Sequence, residues 1–329
     1  MPLTEHTNTS IAEIAALLVE QRSIAICAHV GPDGDALGSQ LALAEALRLL
    51  GKNVTCLLAR NERIDTVFSF MRGFESLTPA CDYSGRVDCF ITVDVPTRDR
   101  LVDAAHLLDE TPLSVTIDHH QAYDSMGQYT YSDPDCASTT MLVWELVRAL
   151  GVVPTKEIAT CCYTGLMTDT GRFQYQNADV RAFACAAEMV AAGARADEIS
   201  KAVYQNRTLA SVKLEALALE RMTLGANGRF AFTWLTLKDF DDLGAVKADG
   251  EPIIDVVRSI AGIRVACVLR EQDDYIRGSF RAKDSTDVSA IARDYEGGGH
   301  KAAAGFTLHC GMDEAREIIF DRLESELGA

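Results

Sequence analysis

The sequence predicts an α/β protein in two parts, a parallel sheet with helices on both faces followed by a smaller C-terminal α/β domain. Three observations carry this. The chain has 329 residues, and at roughly 150 residues per domain that length points to about two domains. In the first half, short apolar runs alternate with amphipathic ones, as strands and helices do when they wind into a parallel sheet. In the second half the strand-like runs lengthen and the regular alternation stops.

Taken in order, residues 11–20 repeat their apolar positions with helical period, and residues 24–28 follow as a short buried strand. A helix is expected over 41–50, strands over 54–58, 89–93 and 114–117, and helices over 140–150 and 180–192, the last stopped by Gly193. Residues 197–224 are rich in Ala, Leu and Glu and read as one helical connector. Beyond it, strands are expected over 230–237, 263–269 and 275–282, with helices near 253–260, 288–293 and 313–326. The domains are therefore placed at 1–196 and 225–329, joined by 197–224.

Composition narrows the function. Hydrophobic residues make up 48% and charged residues 24% of the chain, the balance of a folded protein with a sizeable core. Its net charge of −17 argues against coating long nucleic acid or an anionic membrane with a broad basic surface. It leaves room for a small polyanionic substrate held through bound metal. No apolar run approaches the roughly 18 residues of a membrane span, and Met1-Pro2-Leu3-Thr4-Glu5 lacks the layout of a signal peptide. The ten cysteines contain no Cys-x-x-Cys pair, and several lie in apolar strand-like runs, so they read as small buried hydrophobes of a reducing compartment. A cytoplasmic protein is expected.

Five motifs carry chemistry. His29-Val30-Gly31-Pro32-Asp33-Gly34-Asp35 follows the strand 24–28 and precedes a helix, where open α/β sheets bind ligands. One imidazole and two carboxylates on this turn can serve divalent ions, although a polar turn with Asp35 or Ser39 capping the next helix would read the same. Asp94 follows the strand 89–93 and by itself decides nothing. Asp118-His119-His120 follows the strand 114–117, and a carboxylate there can orient an imidazole that binds metal through its other nitrogen. Asp169-Thr170-Gly171 is not read as an aspartic-protease motif, because that chemistry needs two facing carboxylates in a β-rich fold; Asp169 fits better as a further metal ligand. Gly297-Gly298-Gly299-His300-Lys301 could let backbone N–H groups approach an anion. It lies in the least acidic part of the chain, since residues 256–301 hold eight Lys/Arg against seven Asp/Glu, Arg281 and Lys283 among them. Together, two histidines with Asp33, Asp35, Asp94, Asp118 and Asp169 can hold two divalent ions, and mixed imidazole–carboxylate ligation favours manganese or a similar transition ion over magnesium.

With these motifs in this order, from His29 to Gly305, the sequence resembles the DHH-family phosphoesterases that carry a C-terminal DHH-associated domain, near their nano-RNase/pAp-phosphatase branch. The resemblance rests on His29-x-x-x-Asp33-x-Asp35, Asp94, Asp118-His119-His120, Asp169 and Gly297-Gly298-Gly299-His300; the family often has a fourth glycine where this chain has Glu296. It implies one ion held by His29, Asp33 and Asp94 and a second held by Asp35, Asp94, His119 and Asp169, with Asp94 bridging. Asp118 would support these ligands from behind and His120 would face the substrate phosphate. Arg281, Gly297, Gly298, Gly299 and His300 would hold substrate across a cleft between the domains.

The expected activity is manganese-dependent hydrolysis of very short oligoribonucleotides to mononucleotides, and of 3′-phosphoadenosine 5′-phosphate (pAp) to AMP, by a water activated between two ions. Long nucleic acid and membrane are not expected partners, and self-association into a homodimer is left open. An inorganic pyrophosphatase or exopolyphosphatase, a linear or cyclic dinucleotide phosphodiesterase, and a non-catalytic nucleotide-binding module are the rival readings.

Overall fold

In the computed structural model, which describes residues 4–121 and 125–328 (His300 by its backbone alone), Ile24 and Ile26 leave the first strand on one side and Ala25 and Cys27 on the other, and all four are fully buried. A strand without a wet face belongs inside a covered parallel sheet. The first unit, residues 1–206 by internal contacts, has such a sheet, built from β1 Ser23–Cys27, β2 Asn53–Leu58, β3 Thr78–Pro79, β4 Cys89–Val93, β5 Leu113–Asp118 and β6 Tyr129–Ser132. Every pairing is parallel and the order is β3-β2-β1-β4-β5-β6. The chain runs outward from β1 to β3, then restarts at β4 and runs outward the other way. The direction of winding therefore switches between β1 and β4, the strands that end just before His29 and Asp94.

One face of this sheet packs on helices Ile11–Glu20, Gly34–Leu49, Thr139–Ala149 and Lys156–Asp169. The other is covered more thinly, by Leu101, Ala104, Leu107 and Leu108 from the 3-10 segment Arg98–Ala104 and the short helix Leu107–Glu110. Helix Gly34–Leu49 starts seven residues before the expected position because Asp33, not Asp35 or Ser39, caps it: Asp33 Oδ1 accepts the N–H groups of Asp35 and Ala36, both at 3.0 Å. Helix Lys156–Asp169 was not expected at all. Both helices are buried on nearly all sides, so neither shows the amphipathic stripe that betrays a surface helix.

Glycines let these two helices touch. A Cβ on Gly38 would come within 2.5 Å of the Cys161 carbonyl, and one on Gly165 within 2.4 Å of Thr140 Cγ2 and 2.7 Å of Asp35 Oδ1. Gly165→Ala should therefore overpack the crossing and displace Asp35. We expect a loss of about 1–3 kcal/mol, a melting temperature lower by about 2–8 °C, and reduced metal binding; unchanged melting would show that the crossing relaxes freely.

The single helix expected over 197–224 is instead two, Ala196–Tyr204 and Leu209–Glu220, followed by a strand. The break falls at 205–208 and the division by contacts at Asn206/Arg207, so the second helix belongs with the second unit, where Leu214 and Ala218 are fully buried.

That unit holds a mixed sheet of β7 Thr223–Gly225, β8 Phe230–Leu235, β9 Val265–Glu271, β10 Ile276–Ala282, β11 Gly298–His300 and β12 Ala303–Leu308, in the order β11-β12-β10-β9-β8-β7. Only β8 and β9 pair in parallel. Helices Val288–Arg293 and Met312–Leu327 cover one face, burying Phe230, Phe280 and Phe306. Helices Leu209–Glu220, Leu237–Leu243 and Ile253–Arg258 cover β8 and β9 on the other.

Of the ten cysteines, seven are buried as expected, Cys185 and Cys310 are half-buried and Cys81 is exposed; all ten are free thiols. Burial pushes the Cys56 thiol up to about 11, which keeps it protonated and inert. Among the described residues no helix is long and apolar enough to cross a membrane.

Candidate metal centre

The loops after β1, β4 and β5 bring their polar residues to one place, beside the C-terminal end of helix Lys156–Asp169. Asp94 is the hub. It is 2% exposed, its φ is 58°, and its N–H donates to the Ile117 carbonyl at 3.0 Å. This left-handed conformation, which Asp tolerates better than most residues, turns the chain sharply as it leaves β4.

The two carboxylate oxygens of Asp94 serve opposite neighbours. Oδ2 lies 3.6 Å from His29 Nε2, while Oδ1 lies 3.5 Å from His119 Nε2 and 3.5 Å from His120 Nδ1 and accepts the Thr139 hydroxyl at 3.0 Å. His29 Nε2 is also 4.0 Å from Asp33 Oδ2, the oxygen left over from capping. His119 Nε2 faces three carboxylates, Asp169 at 3.2 Å, Asp94 at 3.5 Å and Asp35 at 3.9 Å. Donor atoms of His29, Asp33 and Asp94 gather within 4.8 Å of one another, as do those of Asp35, His119 and Asp169, and those of Asp94, His119 and His120.

The second row of contacts holds these groups in place. Asp35 is fully buried at the N-terminus of helix Thr139–Ala149 and accepts the N–H groups of Thr139 at 2.6 Å and Thr140 at 2.9 Å, using donors that a helix start leaves spare. His119 Nδ1 is 3.3 Å from the Cys136 carbonyl, an acceptor that fixes the ring with Nε2 turned to the carboxylates. His29 Nδ1 lies 3.0 Å from the Val30 carbonyl, and Arg100 Nη2 sits 3.0 Å from both. Asp118 Oδ1 lies 2.8 Å from His120 Nδ1 and accepts the His120 N–H at 3.2 Å.

Electrostatics explains what such a cluster needs. Burial, then the charges of Asp35, Asp33, Asp118 and Asp169, hold the Asp94 carboxyl well above the usual range. Burial raises Asp169 in the same way, with Asp35 and Asp33 adding to it. Burial raises Asp35 too, against the opposing pull of His119. Asp118 goes the other way: burial would raise it, but the hydrogen bond and charge of His120 outweigh that and lower it. Burial disfavours the His120 cation, yet the Asp118 bond raises its pKa all the same. Several carboxylates crowded out of water repel one another, and divalent cations with mixed N/O ligands are the ions that relieve this. The donor set fits divalent cations.

All eight residues expected here, His29, Asp33, Asp35, Asp94, Asp118, His119, His120 and Asp169, are brought together. Thr139, Thr140, Cys136 and Arg100 were missed. The Ser138-Thr139-Thr140 run at a helix start was the available signal for the first two; the carbonyl of Cys136 and the guanidinium of Arg100 left none.

Arg281 and the glycine run lie in the second unit. They share a level there, since Ala303 of β12 pairs with Arg281 on one side and His300 on the other. The side chain of His300 lies outside the described residues. The glycines differ from expectation: Gly298 and Gly299 form β11 with His300 instead of an open loop. A Cβ on Gly297 would come within 2.3 Å of the Gly305 carbonyl and one on Gly299 within 2.5 Å of the Ala303 carbonyl, so both are needed for close packing on β12. Glu296, just before the glycine run, adopts φ 49°.

The family model described as "DHH family, N-terminal domain" matches residues 23–166, and that of the DHHA1 domain matches residues 237–328. The chain belongs to the DHH family. Among curated relatives of this DHH protein, one from Thermus thermophilus named bifunctional oligoribonuclease and PAP phosphatase NrnA is 29% identical over 96% of this chain and 93% of its own length. A Bacillus subtilis protein of the same name is 28% identical over 89% and 91%. A crystal structure of an exopolyphosphatase-related protein from Bacteroides fragilis superposes with a TM-score of 0.91 at 25% identity, covering 99% of this chain and all of the other.

Proposed function

We propose that this DHH protein is a phosphoesterase that uses two divalent ions, natively manganese, to hydrolyse short oligoribonucleotides to mononucleotides and pAp to AMP. The observation that carries the reading is the division of labour at Asp94, one oxygen toward His29 and the other toward His119, which suits a carboxylate shared between two ions. His29 and Asp33 would complete the first site, and Asp35, His119 and Asp169 the second. Such a pair of ions supplies an activated water and neutralises charge that develops on the phosphoryl group.

The remaining residues act on substrate. Asp118, with Oδ1 2.8 Å from His120 Nδ1, would orient the ring that meets a phosphoryl oxygen. Burial disfavours the charged ring, but the Asp118 hydrogen bond and charge raise the His120 pKa all the same, which favours a ring that donates. In the second unit, Arg281 and the strand through His300 would hold the rest of the substrate. The curated relatives' names support the two substrates, and their alignment across nearly the whole chain supports both units taking part.

A turnover panel tests this. With manganese, we expect hydrolysis of a dinucleotide, a five-nucleotide RNA and pAp, little or no hydrolysis of pyrophosphate or a cyclic dinucleotide, and loss of activity after chelation that manganese restores better than magnesium. Pyrophosphate as the best substrate would install the pyrophosphatase reading instead, and turnover that survives chelation would remove the metal site from the mechanism.

A further inference from the structure

The two ion sites proposed above are held by different kinds of structure. Asp35 and Asp169 belong to helices, and His119 turns on the Cys136 carbonyl. His29 and Asp33 lie instead on the turn between β1 and helix Gly34–Leu49, with Asp33 as its last residue. Asp33 is exposed, and Gly31 between the two ligands takes φ 65° with open space where a Cβ would be. Packing alone does not keep two ligands still on such a turn.

Two side chains of opposite charge grip this turn. Arg100, in the 3-10 segment after β4, holds Val30 twice: its carbonyl accepts the Val30 N–H at 2.9 Å, and its Nη2 donates to the Val30 carbonyl at 3.0 Å. The same Nη2 stands 3.0 Å from His29 Nδ1, while Nε2 across the ring is 3.6 Å from Asp94 Oδ2. Glu62, in the loop after β2, accepts the Gly31 N–H with Oε1 at 2.7 Å and the Arg60 Nε–H with Oε2 at 3.1 Å. Arg100 is not placed cheaply. Among the described residues no carboxylate pairs with it, and its Nε is buried without a partner. Two residues on, Val102 is exposed yet takes φ 45° and ψ −113°, which a β-branched residue avoids, and the Asp103 N–H donates to the Ala59 carbonyl at 2.9 Å. Strain of this kind persists where the surroundings require that path of the backbone. Here the path sets Arg100 against Val30 and ties the loop after β4 to the loop that carries Glu62.

We propose that Arg100 and Glu62 are positioning residues for one ion only, the ion that His29, Asp33 and Asp94 would hold, and that together they set its affinity. Arg100 fixes the peptide after His29 and the Nδ1 edge of the ring, so that Nε2 faces Asp94. Glu62 pins Gly31, which fixes the reach from His29 to Asp33. Groups that orient a ligating imidazole are worth about 10–100-fold in metal affinity. The contacts that hold Asp35 and His119 involve neither residue, so the ion beside His119 keeps its affinity when Arg100 or Glu62 is removed. This inference rests on the two-ion reading and deepens it, since it names what controls the filling of one site.

The test counts ions as well as turnover. Manganese binding to the full chain is titrated calorimetrically in wild type, Arg100→Ala and Glu62→Ala. The electron paramagnetic resonance of the bound metal, and kcat on a dinucleotide as manganese is raised, are measured alongside. In both variants we expect one ion at wild-type affinity and the other weakened about 10–100-fold, with isolated-ion spectra at a concentration that gives wild type a coupled pair. Raising manganese should restore most of kcat, with KM for the dinucleotide little changed. Arg100→Lys and Glu62→Gln, which keep a donor and an acceptor in these places, should recover most of the affinity. Both ions weakened alike, wild-type affinity at both, or a kcat that excess manganese does not restore would overturn the inference and leave the two-ion reading intact. If Arg100→Ala does not fold, Glu62→Ala decides by the same measurements. A wild-type protein that binds fewer than two ions would overturn that reading, and this inference with it.

Discussion

Asp94→Asn is expected to lower turnover by on the order of 10³-fold or more and to cost the protein bound metal, while the fold survives. One carboxylate stands between His29 and His119 with an oxygen toward each, so removing its charge would weaken both proposed ion sites at once, and a loss of several kcal/mol in charge stabilisation is a rate loss of that size. Asparagine keeps the shape, tolerates φ near +58° and can still accept the Thr139 hydroxyl. The sign of the effect on the metal-free protein is opposite. The folded state raises the Asp94 carboxyl through burial and through Asp35, Asp33, Asp118 and Asp169. A raised folded pKa contributes stability that is present below the ordinary carboxylate range and is lost as pH rises through the raised value. Metal-free wild type should therefore melt lower as pH rises, and metal-free Asp94→Asn should melt higher than wild type at neutral pH. Metal content, turnover and melting of the chelated proteins across pH check the three parts. Near-normal activity in Asp94→Asn would end the two-ion model.

His120→Ala should lower kcat by roughly 10²–10³-fold, the range for a positioned acid or base, with metal content retained. Asp118→Asn should lose nearly as much, because an asparagine that turns its amide toward the ring no longer orients it as the carboxylate does. The double variant should be little worse than either single one, since Asp118, 2.8 Å from His120 Nδ1, acts through that ring. His120 Nδ1 also lies 3.5 Å from Asp94 Oδ1, within a group of donors that could itself hold an ion. Metal analysis separates the two roles: a His120→Ala protein stripped of metal would make His120 a ligand, and strictly additive losses would mean that Asp118 has work of its own.

Much of the candidate site was legible before any coordinates. His29, Asp33 and Asp35 after one strand, Asp118-His119-His120 after another, and their order along the chain are local patterns, and the strands before them are short apolar runs that no helix period fits. The same local reasoning located helices Ile11–Glu20 and Val288–Arg293. Asp94 marks where it stops. A lone Asp after a strand is uninformative until the sheet is laid out, and it becomes the hub only because β4 lies between β1 and β5.

What tertiary structure alone decided shares a physical cause. Helix Lys156–Asp169, which delivers Asp169, is buried on so many sides that its sequence carries no stripe for a periodicity argument to find. The break at 205–208 is silent because residues good at forming helix continue on both sides of it, and only the partners each half packs against make them two. Arg100 reads in sequence as one more charge in a mixed run; the pairing of β1 with β4 sets it against the turn that carries His29. Sequence by itself determined which residues were chemically capable and which strand ends carried most of them. Their company was decided by the order of the strands and by glycines at 38 and 165 that let two helices meet, because contacts between residues far apart in the chain are set by packing, which no local pattern encodes.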